Sequence, residues 1–266
     1  MAERNLASRF AGRIALITGS GAGIGRAIAL EWALGGGSAI TVDMDSNAAA
    51  AVAGEIEALG GRAWPVAADV RHLPDVERAF TTGLRAAGGL DALFNVAGTN
   101  MARNVEEMED ADWHRIFDTN LTSVYRCSHR AIPELRKRGG GAIVNIASTA
   151  GILAENRCAA YSSSKAGVIM LTRNMAMDFA RDNIRTNAIC PGGTMTPRIK
   201  TYMATAGGDG NMMEAICPMK RYAQPEEIAR PAVFLASDDA SFINGAALVV
   251  DGGTTAGIRM AIFDQM

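Results

Sequence analysis

Tyr161 and Lys165 stand four residues apart in the run Tyr-Ser-Ser-Ser-Lys, and Ser148 lies thirteen residues before the tyrosine. Residues at that spacing share one face of a helix. An ammonium held beside a phenol favours the phenolate, and so draws the tyrosine pKa below its free value of about 10. A tyrosine tuned this way takes a proton from a substrate oxygen or returns one to it. A nearby serine hydroxyl can donate to the same oxygen. The trio is a candidate set for proton transfer at an alcohol or a carbonyl. By itself the pattern is common, and most such pairs are a core tyrosine and a solvated lysine.

A second signal lies near the other end of the chain. An apolar run from Ile14 to Ile17 leads into a glycine-dense turn containing Gly19, Ser20, Gly21, Gly23, Ile24 and Gly25. The run has the composition of a buried parallel strand. Ile24, Ile28, Leu30 and Trp32 then follow a helical pattern. Strand, glycine turn and helix make the front half of a dinucleotide-binding unit. The glycines let the backbone approach a pyrophosphate, and the helix start offers free amides and the positive dipole end.

These residues need a frame to bring them together. Strand patterns occur at 13–18, 38–43, 62–67, 91–95, 141–147, 184–190 and 246–250, with helical patterns at 23–35, 46–60, 73–88, 111–138, 160–181 and 225–237. Such alternation predicts an α/β fold, a parallel sheet covered by helices on both faces. Ligands of such sheets bind beyond the carboxyl ends of the strands. Thr18, Asp43, Asp69, Asn95, Ser148 and Pro191 all fall at or just after strand ends, so they should line one crevice.

Thr18-Gly19-x-x-x-Gly23-x-Gly25 together with Ser148 and Tyr161-x-x-x-Lys165 resembles the short-chain dehydrogenase/reductase family, in its short single-domain branch. The resemblance spans about residues 10–255. Further matches are Asp69-Val70, Asn95-Val96-Ala97-Gly98 (Val96 replacing a usual Asn), Asn120 in Asp-Thr-Asn-Leu, Pro191-Gly192 followed by Thr196, and Val250-Asp251-Gly252-Gly253. It implies a Rossmann-type, doubly wound, mainly parallel seven-stranded sheet, with residues 1–266 as one NAD(P)-binding domain. It also implies hydride transfer between a secondary alcohol and a ketone, with Tyr161 as general acid/base and Ser148 orienting the substrate oxygen. Lys165 would also reach the nicotinamide ribose. Asn120 would interrupt the hydrogen bonding of its helix and hold a water linking Lys165 to solvent. Asp69 and Val70 would meet the adenine edge, and Asn95, Ala97 and Gly98 would let backbone approach the adenosine. Pro191, Gly192, Thr194 and Thr196 would meet the nicotinamide end and the diphosphate. Residues 197–222 would form a lid, and the assembly would be a homotetramer, with the helix 225–237 and the apolar tail from Ile258 contributing.

Asp43 closes the second strand, eighteen residues after Gly25, with Met44 beside it. A carboxylate there accepts hydrogen bonds from ribose hydroxyls and repels a 2′-phosphate. No lysine or arginine stands in the glycine turn before Arg26. NAD(H) is therefore expected over NADP(H). Asp45-Ser46 is the better cap for the next helix, which leaves Asp43 for the ribose. An NADPH-dependent ketone or 3-oxoacyl reductase is the alternative that Asp43 argues against. A non-catalytic nucleotide-binding regulatory protein on the same fold is the one that intact Ser148, Tyr161 and Lys165 argue against.

The substrate is less legible. The lid contains Gly207-Gly208-Asp209-Gly210, a flexible joint. Met195 and several other methionines gather there, and methionine adapts to irregular partners. Arg157, Arg198 and Lys200 are the basic groups that could face the pocket, and arginine pairs bidentately with carboxylates. The run Asn156-Arg157-Cys158 looks like that of family members acting on hydroxy acids and sugar acids. Hydroxy acids, sugar acids and cyclic alcohols remain open as substrates.

With 266 residues, 48% hydrophobic and 20% charged, the chain can bury a sizeable core, and no linker or repeat divides it. A net charge of −2 gives no reason to expect nucleic acid or an anionic membrane. Cys127, Cys158, Cys190 and Cys217 are scattered, and His72, His114 and His129 lack ligand spacing, so neither a disulfide framework nor a metal is expected. The opening Met-Ala-Glu-Arg-Asn-Leu has no leader-like apolar region, and no apolar stretch reaches membrane-span length. A cytoplasmic location is the expectation that follows.

Overall fold

A computed structural model describes residues 8–205 and 212–257. Seven strands form one sheet: β1 (Ile14–Thr18), β2 (Ser38–Asp43), β3 (Ala63–Ala67), β4 (Ala92–Asn95), β5 (Gly141–Ile146), β6 (Ile184–Pro191) and β7 (Ala247–Val250). Their order is β3-β2-β1-β4-β5-β6-β7, and every pairing is parallel. The order reverses between β1 and β4, which is where a doubly wound sheet opens its crevice. Register there is set residue by residue. Thr18 pairs with Asn95, and Asn95 with Asn145.

The helices are α1 (Gly23–Leu34), α2 (Ser46–Ala58), α3 (Leu73–Ala87), α4 (Asp110–Phe117), α5 (Ser123–Lys137), α6 (Ala159–Asp178), α7 (Pro197–Thr205), α8 (Met212–Ile216) and α9 (Pro225–Ala236). They cover both faces, so β1 is buried throughout and reads as an unbroken apolar run. One core joins α1 and α9 to the sheet through Ile28, Trp32, Ile228 and Val233. The other joins α3 and α5 through Val76, Phe80, Ala131 and Leu135. Trp32 anchors the first, stacked on Phe10 at 4.0 Å and donating Nε1–H to the Ser38 carbonyl at 3.0 Å. Truncating so large a buried ring costs about 3–5 kcal/mol. Asp45 caps α2 as expected, its Oδ1 accepting from the amides of Asn47 and Ala48.

The predicted continuous helix over 111–138 is divided. A π-helical turn at Asp118–Thr122 separates α4 from α5. Apolar periodicity does not reveal it, because the chain stays helical on both sides of the turn. The segment 197–222, expected to form a lid, contains α7 and α8, while the glycine joint at 207–210 and the tail from Ile258 lie outside the described residues.

Candidate active site

The glycine turn is built against the end of β4. Gly19 and Gly23 have φ of +64° and +53°, which L side chains rarely adopt. A Cβ on Gly19 would stand 2.8 Å from the Ala97 Cα. The Thr18 Oγ1 accepts the amides of Val96 at 3.0 Å and Ala97 at 3.3 Å, tying the two loops together. Ser20 is buried and donates to the Val42 carbonyl at 3.2 Å. The start of α1 carries neither a side-chain cap nor an acidic residue in its first turn. Its amides are therefore open to an anion.

Asp43 reaches across to this turn. Its Oδ2 accepts the Gly21 amide at 2.9 Å and its Oδ1 accepts the Asp45 amide at 3.0 Å. A carboxylate has lone pairs beyond those two contacts for ribose hydroxyls. A Cβ on Gly23 would meet the Thr196 methyl at 3.1 Å, so the chain just before α7 lies over the same turn. Gly25 is buried, Ile24 packs on the core, and Met44 is exposed at the strand end. A cradle without side chains, open helix amides and a strand-end carboxylate fit a nicotinamide dinucleotide.

The remaining strand-end residues divide in two. Asp69 is engaged by Arg71, whose Nη2 lies 2.6 Å from Oδ2, and that contact holds its carboxyl below the usual range. Val70 is buried. Asn95 turns inward, donating to the Asn145 Oδ1 at 2.8 Å, and Asn145 donates to the Thr172 Oγ1 at 2.9 Å. Asn95 thus ties β4 to β5 and α6 and leaves the crevice to its neighbours' backbone.

Ser148 follows β5 and starts a 3-10 turn at Thr149–Gly151, its Oγ accepting the Ala150 amide at 3.1 Å. This turn lies on α6. A Cβ on Gly151 would come within 2.7 Å of the Lys165 carbonyl carbon, so only glycine allows the approach. Ser148 lies near the Tyr161 hydroxyl and opposes the rise of its pKa. Lys165 is buried, donates from Nζ to the Ile146 carbonyl at 2.6 Å, and lies 5.8 Å from the Tyr161 ring centroid. Burial lowers its pKa to about 8, with the Arg198 charge adding to the effect.

The phenol differs from the sequence-based expectation. Tyr161 is only half-buried as a residue, yet loss of water around its hydroxyl raises its pKa above the ordinary value. Ser148 and Arg198 oppose that rise, while Glu155 and Cys158 add to it. One of the Lys165 ammonium protons goes to the Ile146 carbonyl.

Asn120 sits inside the π-helical turn, fully buried. Its Nδ2 donates to the Thr99 carbonyl at 2.9 Å and the Ser164 Oγ at 3.0 Å, and its Oδ1 accepts the Thr99 amide at 2.7 Å. The break in helical hydrogen bonding implied by the resemblance is therefore present at this residue. A Cβ on Gly98 would lie 3.5 Å from both the Asn120 Oδ1 and the Lys165 Nζ. Arg198, on α7, donates to the Gly98 carbonyl at 2.7 Å. Pro191 accepts from the Thr149 hydroxyl at 3.3 Å, and Gly192 packs on Asp251. Thr194 is buried, and the Met195 amide donates to the Ala223 carbonyl at 2.8 Å. The Met195 side chain packs on Met213, Cys217 and Tyr222.

Arg157 does not stand free. Its guanidinium grips Glu107, with Nη2 to Oε2 at 2.5 Å. Thr99, Ser164 and Glu155 join the site without having been singled out in the sequence. Ser164 lies between Tyr161 and Lys165, but three serines in a row gave no means to choose it.

Comparison with known proteins agrees with this geometry. A family model described as enoyl-(acyl carrier protein) reductase matches residues 19–255. Cyclohexanol dehydrogenase of Acinetobacter sp. (strain SE19) is 37% identical, covering 95% of this chain and 99% of that protein.

The chain belongs to the short-chain dehydrogenase/reductase family.

Two solved structures place it in three dimensions. A 7α-hydroxysteroid dehydrogenase complexed with NADH and 7-oxo glycochenodeoxycholic acid superposes with a TM-score of 0.88 at 35% identity, covering 95% of this chain and 98% of that one. The L-sorbose reductase of Gluconobacter frateurii, complexed with NADPH and L-sorbose, gives 0.89 at 33%, covering 95% and 100%. This short-chain dehydrogenase/reductase is thus an oxidoreductase acting on hydroxyl groups, interconverting a secondary alcohol and a ketone.

Proposed function

We propose that this enzyme oxidises a secondary alcohol with NAD, using Tyr161 as the general base. The observation that carries the reading is the convergence of Ser148, Tyr161 and Lys165 beside Gly98, at the edge of the glycine turn. Tyr161 takes the proton from the substrate hydroxyl as the carbinol C–H bond breaks. Ser148 donates to the same oxygen and stabilises charge there. Lys165 holds a positive charge next to the ring and, with Asn120 and Thr99 behind it, begins a route for the proton to leave. When bound, the dinucleotide supplies the hydride acceptor that no side chain here can provide. Tyr161→Phe should remove turnover while nucleotide binding persists; retained turnover would overturn the reading.

NAD is the proposed nucleotide because the Asp43 carboxylate, held against the Gly21 amide, would accept ribose hydroxyls and repel a 2′-phosphate. Arg26, the first cation after the turn, is committed to an ion pair with Glu55. Gly19, Gly21, Gly23 and Gly25 would cradle the diphosphate, with Thr194 and Thr196 at the nicotinamide end and Met44, Asp69 and Val70 at the adenine end. We read residues 1–266 as one domain with the lid at about 197–222.

Two exposed apolar faces support a homotetramer. One joins Tyr125 on α5 to Met170 on α6. The other is the sheet edge at β7, where Leu248 and Val249 are exposed beside a fully exposed Phe242. An unpaired sheet edge is a natural pairing surface. Light scattering on the purified chain tests the assembly. Among the described residues no helix is long and apolar enough to cross a membrane. The four cysteines are unpaired, which supports a reducing, cytoplasmic compartment.

A further inference from the structure

Three contacts link the glycine turn, the loop after β4 and the start of α7, and Arg198 makes the last of them. Gly19 rests on Ala97, where a Cβ on the glycine would stand 2.8 Å from the Ala97 Cα. Gly98 follows, and a Cβ there would lie 3.5 Å from the Lys165 Nζ. The loop after β4 therefore runs from the glycine turn to the side of Lys165. Gly23, in the same turn, lies against the chain entering α7: a Cβ on it would be 3.1 Å from the Thr196 Cγ2 and 3.8 Å from the Pro197 Cδ. Arg198 is the next residue, and its Nη2 donates to the Gly98 carbonyl at 2.7 Å. Its side chain thus spans the interval from the glycine turn to the neighbourhood of Lys165. A dinucleotide with its diphosphate on the turn and its nicotinamide at Lys165 would cover the same interval.

The guanidinium also lacks a counter-ion. Arg26, Arg71 and Arg157 are each bound to a carboxylate, those of Glu55, Asp69 and Glu107. Among the described residues Arg198 forms no ion pair, and its hydrogen bond goes to a neutral carbonyl. The side chain is exposed, so trading that carbonyl for another acceptor disturbs no core packing. A guanidinium bonds phosphate oxygens about twice as strongly as a neutral acceptor and matches their geometry. The glycine turn offers open amides at the start of α1 but no cation before Arg26. A diphosphate seated there gains a full positive charge only from outside the turn, and Arg198 is the cation that reaches over it from α7.

We infer that Arg198 is a dinucleotide-binding residue, whose guanidinium exchanges the Gly98 carbonyl for the cofactor diphosphate and clamps the nucleotide from the α7 side. Its ligand is then the cofactor and not a substrate carboxylate. This rests on the dehydrogenase reading above. Losing a charge-assisted hydrogen bond of this kind weakens binding by about tenfold to a hundredfold.

The test is calorimetric titration of NADH and of ADP-ribose into the full chain and into Arg198→Gln and Arg198→Lys, at low and at high salt. Both ligands carry the diphosphate, and ADP-ribose lacks the nicotinamide. Arg198→Gln should weaken both by about tenfold or more and flatten the salt dependence of their dissociation constants. Arg198→Lys keeps a point charge that binds phosphate, and should recover part of the affinity together with the salt dependence. Unchanged affinities in Arg198→Gln, a loss for NADH that ADP-ribose does not share, or an equal loss in both variants with unchanged salt dependence overturns the role of Arg198 and leaves the dehydrogenase reading standing. A parent chain that binds neither NADH nor NADPH overturns that reading, and this inference with it.

Discussion

The Asp43 carboxylate accepts the amide proton of Gly21 at 2.9 Å. The end of β2 is thereby fastened to the glycine turn, and the carboxylate is held beside it, where we propose that it meets the adenosine ribose. Asp43→Ala should lower the NAD-over-NADP preference in kcat/KM by about tenfold or more, because a charge-assisted hydrogen bond and a repulsion are lost together. An unchanged preference would remove the case for NAD.

Lys165 is buried and titrates near 8, below its free value. Between that value and about 10.4 the unfolded chain keeps the proton while the folded chain has released it. Stability from this residue therefore rises with pH across that window, and below it both states are charged and the burial penalty is fully present. Relative to Lys165→Met, the parent chain should gain up to about 3 kcal/mol between pH 7.5 and 10. Urea midpoints of the two proteins read this directly. Parallel pH profiles would contradict it.

Asn120 satisfies the Thr99 amide and carbonyl and the Ser164 hydroxyl at once. Asn120→Ala strands the buried Ser164 hydroxyl and the part-buried Thr99 groups and should cost about 1–3 kcal/mol of stability, with kcat falling more than KM rises. A loss below about 1 kcal/mol in chemical denaturation would mean that water replaces the side chain at no cost.

Gly151 allows the Ser148 turn to rest on α6. Gly151→Ala would push that turn off the Lys165 backbone and carry Ser148 away from Tyr161. A displacement of about 1 Å at a catalytic group costs about a hundredfold in rate. Turnover should fall by that order while NAD affinity, measured by calorimetry, is kept. Full turnover in the variant would show that the turn yields without moving Ser148.

The strands were legible because a sheet covered on both faces needs apolar runs, and Ile14–Thr18 or Gly141–Ile146 can hardly be read otherwise. The crevice was legible because the residues that matter follow strand ends. What escaped depends on partners distant in sequence. Nothing around Arg157 announces Glu107, fifty residues earlier. The helix over 111–138 divides at a π-helical turn whose Asn120 bonds Thr99 and Ser164, contacts with residues distant in sequence. The phenol pKa departs from expectation for the same reason. Spacing tells that Lys165 shares a face with Tyr161, but not that packing removes water from the phenol hydroxyl and raises its pKa.

The most direct measurement is turnover and nucleotide binding of Tyr161→Phe, side by side with the parent enzyme. The only atom lost is the hydroxyl proposed to carry the proton. Oxidation of a cyclic secondary alcohol with NAD, followed by NADH absorbance, should drop by about a hundredfold to ten-thousandfold. NAD affinity should stay within a few-fold. Turnover within tenfold of the parent would contradict Tyr161 as the acid/base and, with it, the mechanism proposed for this enzyme.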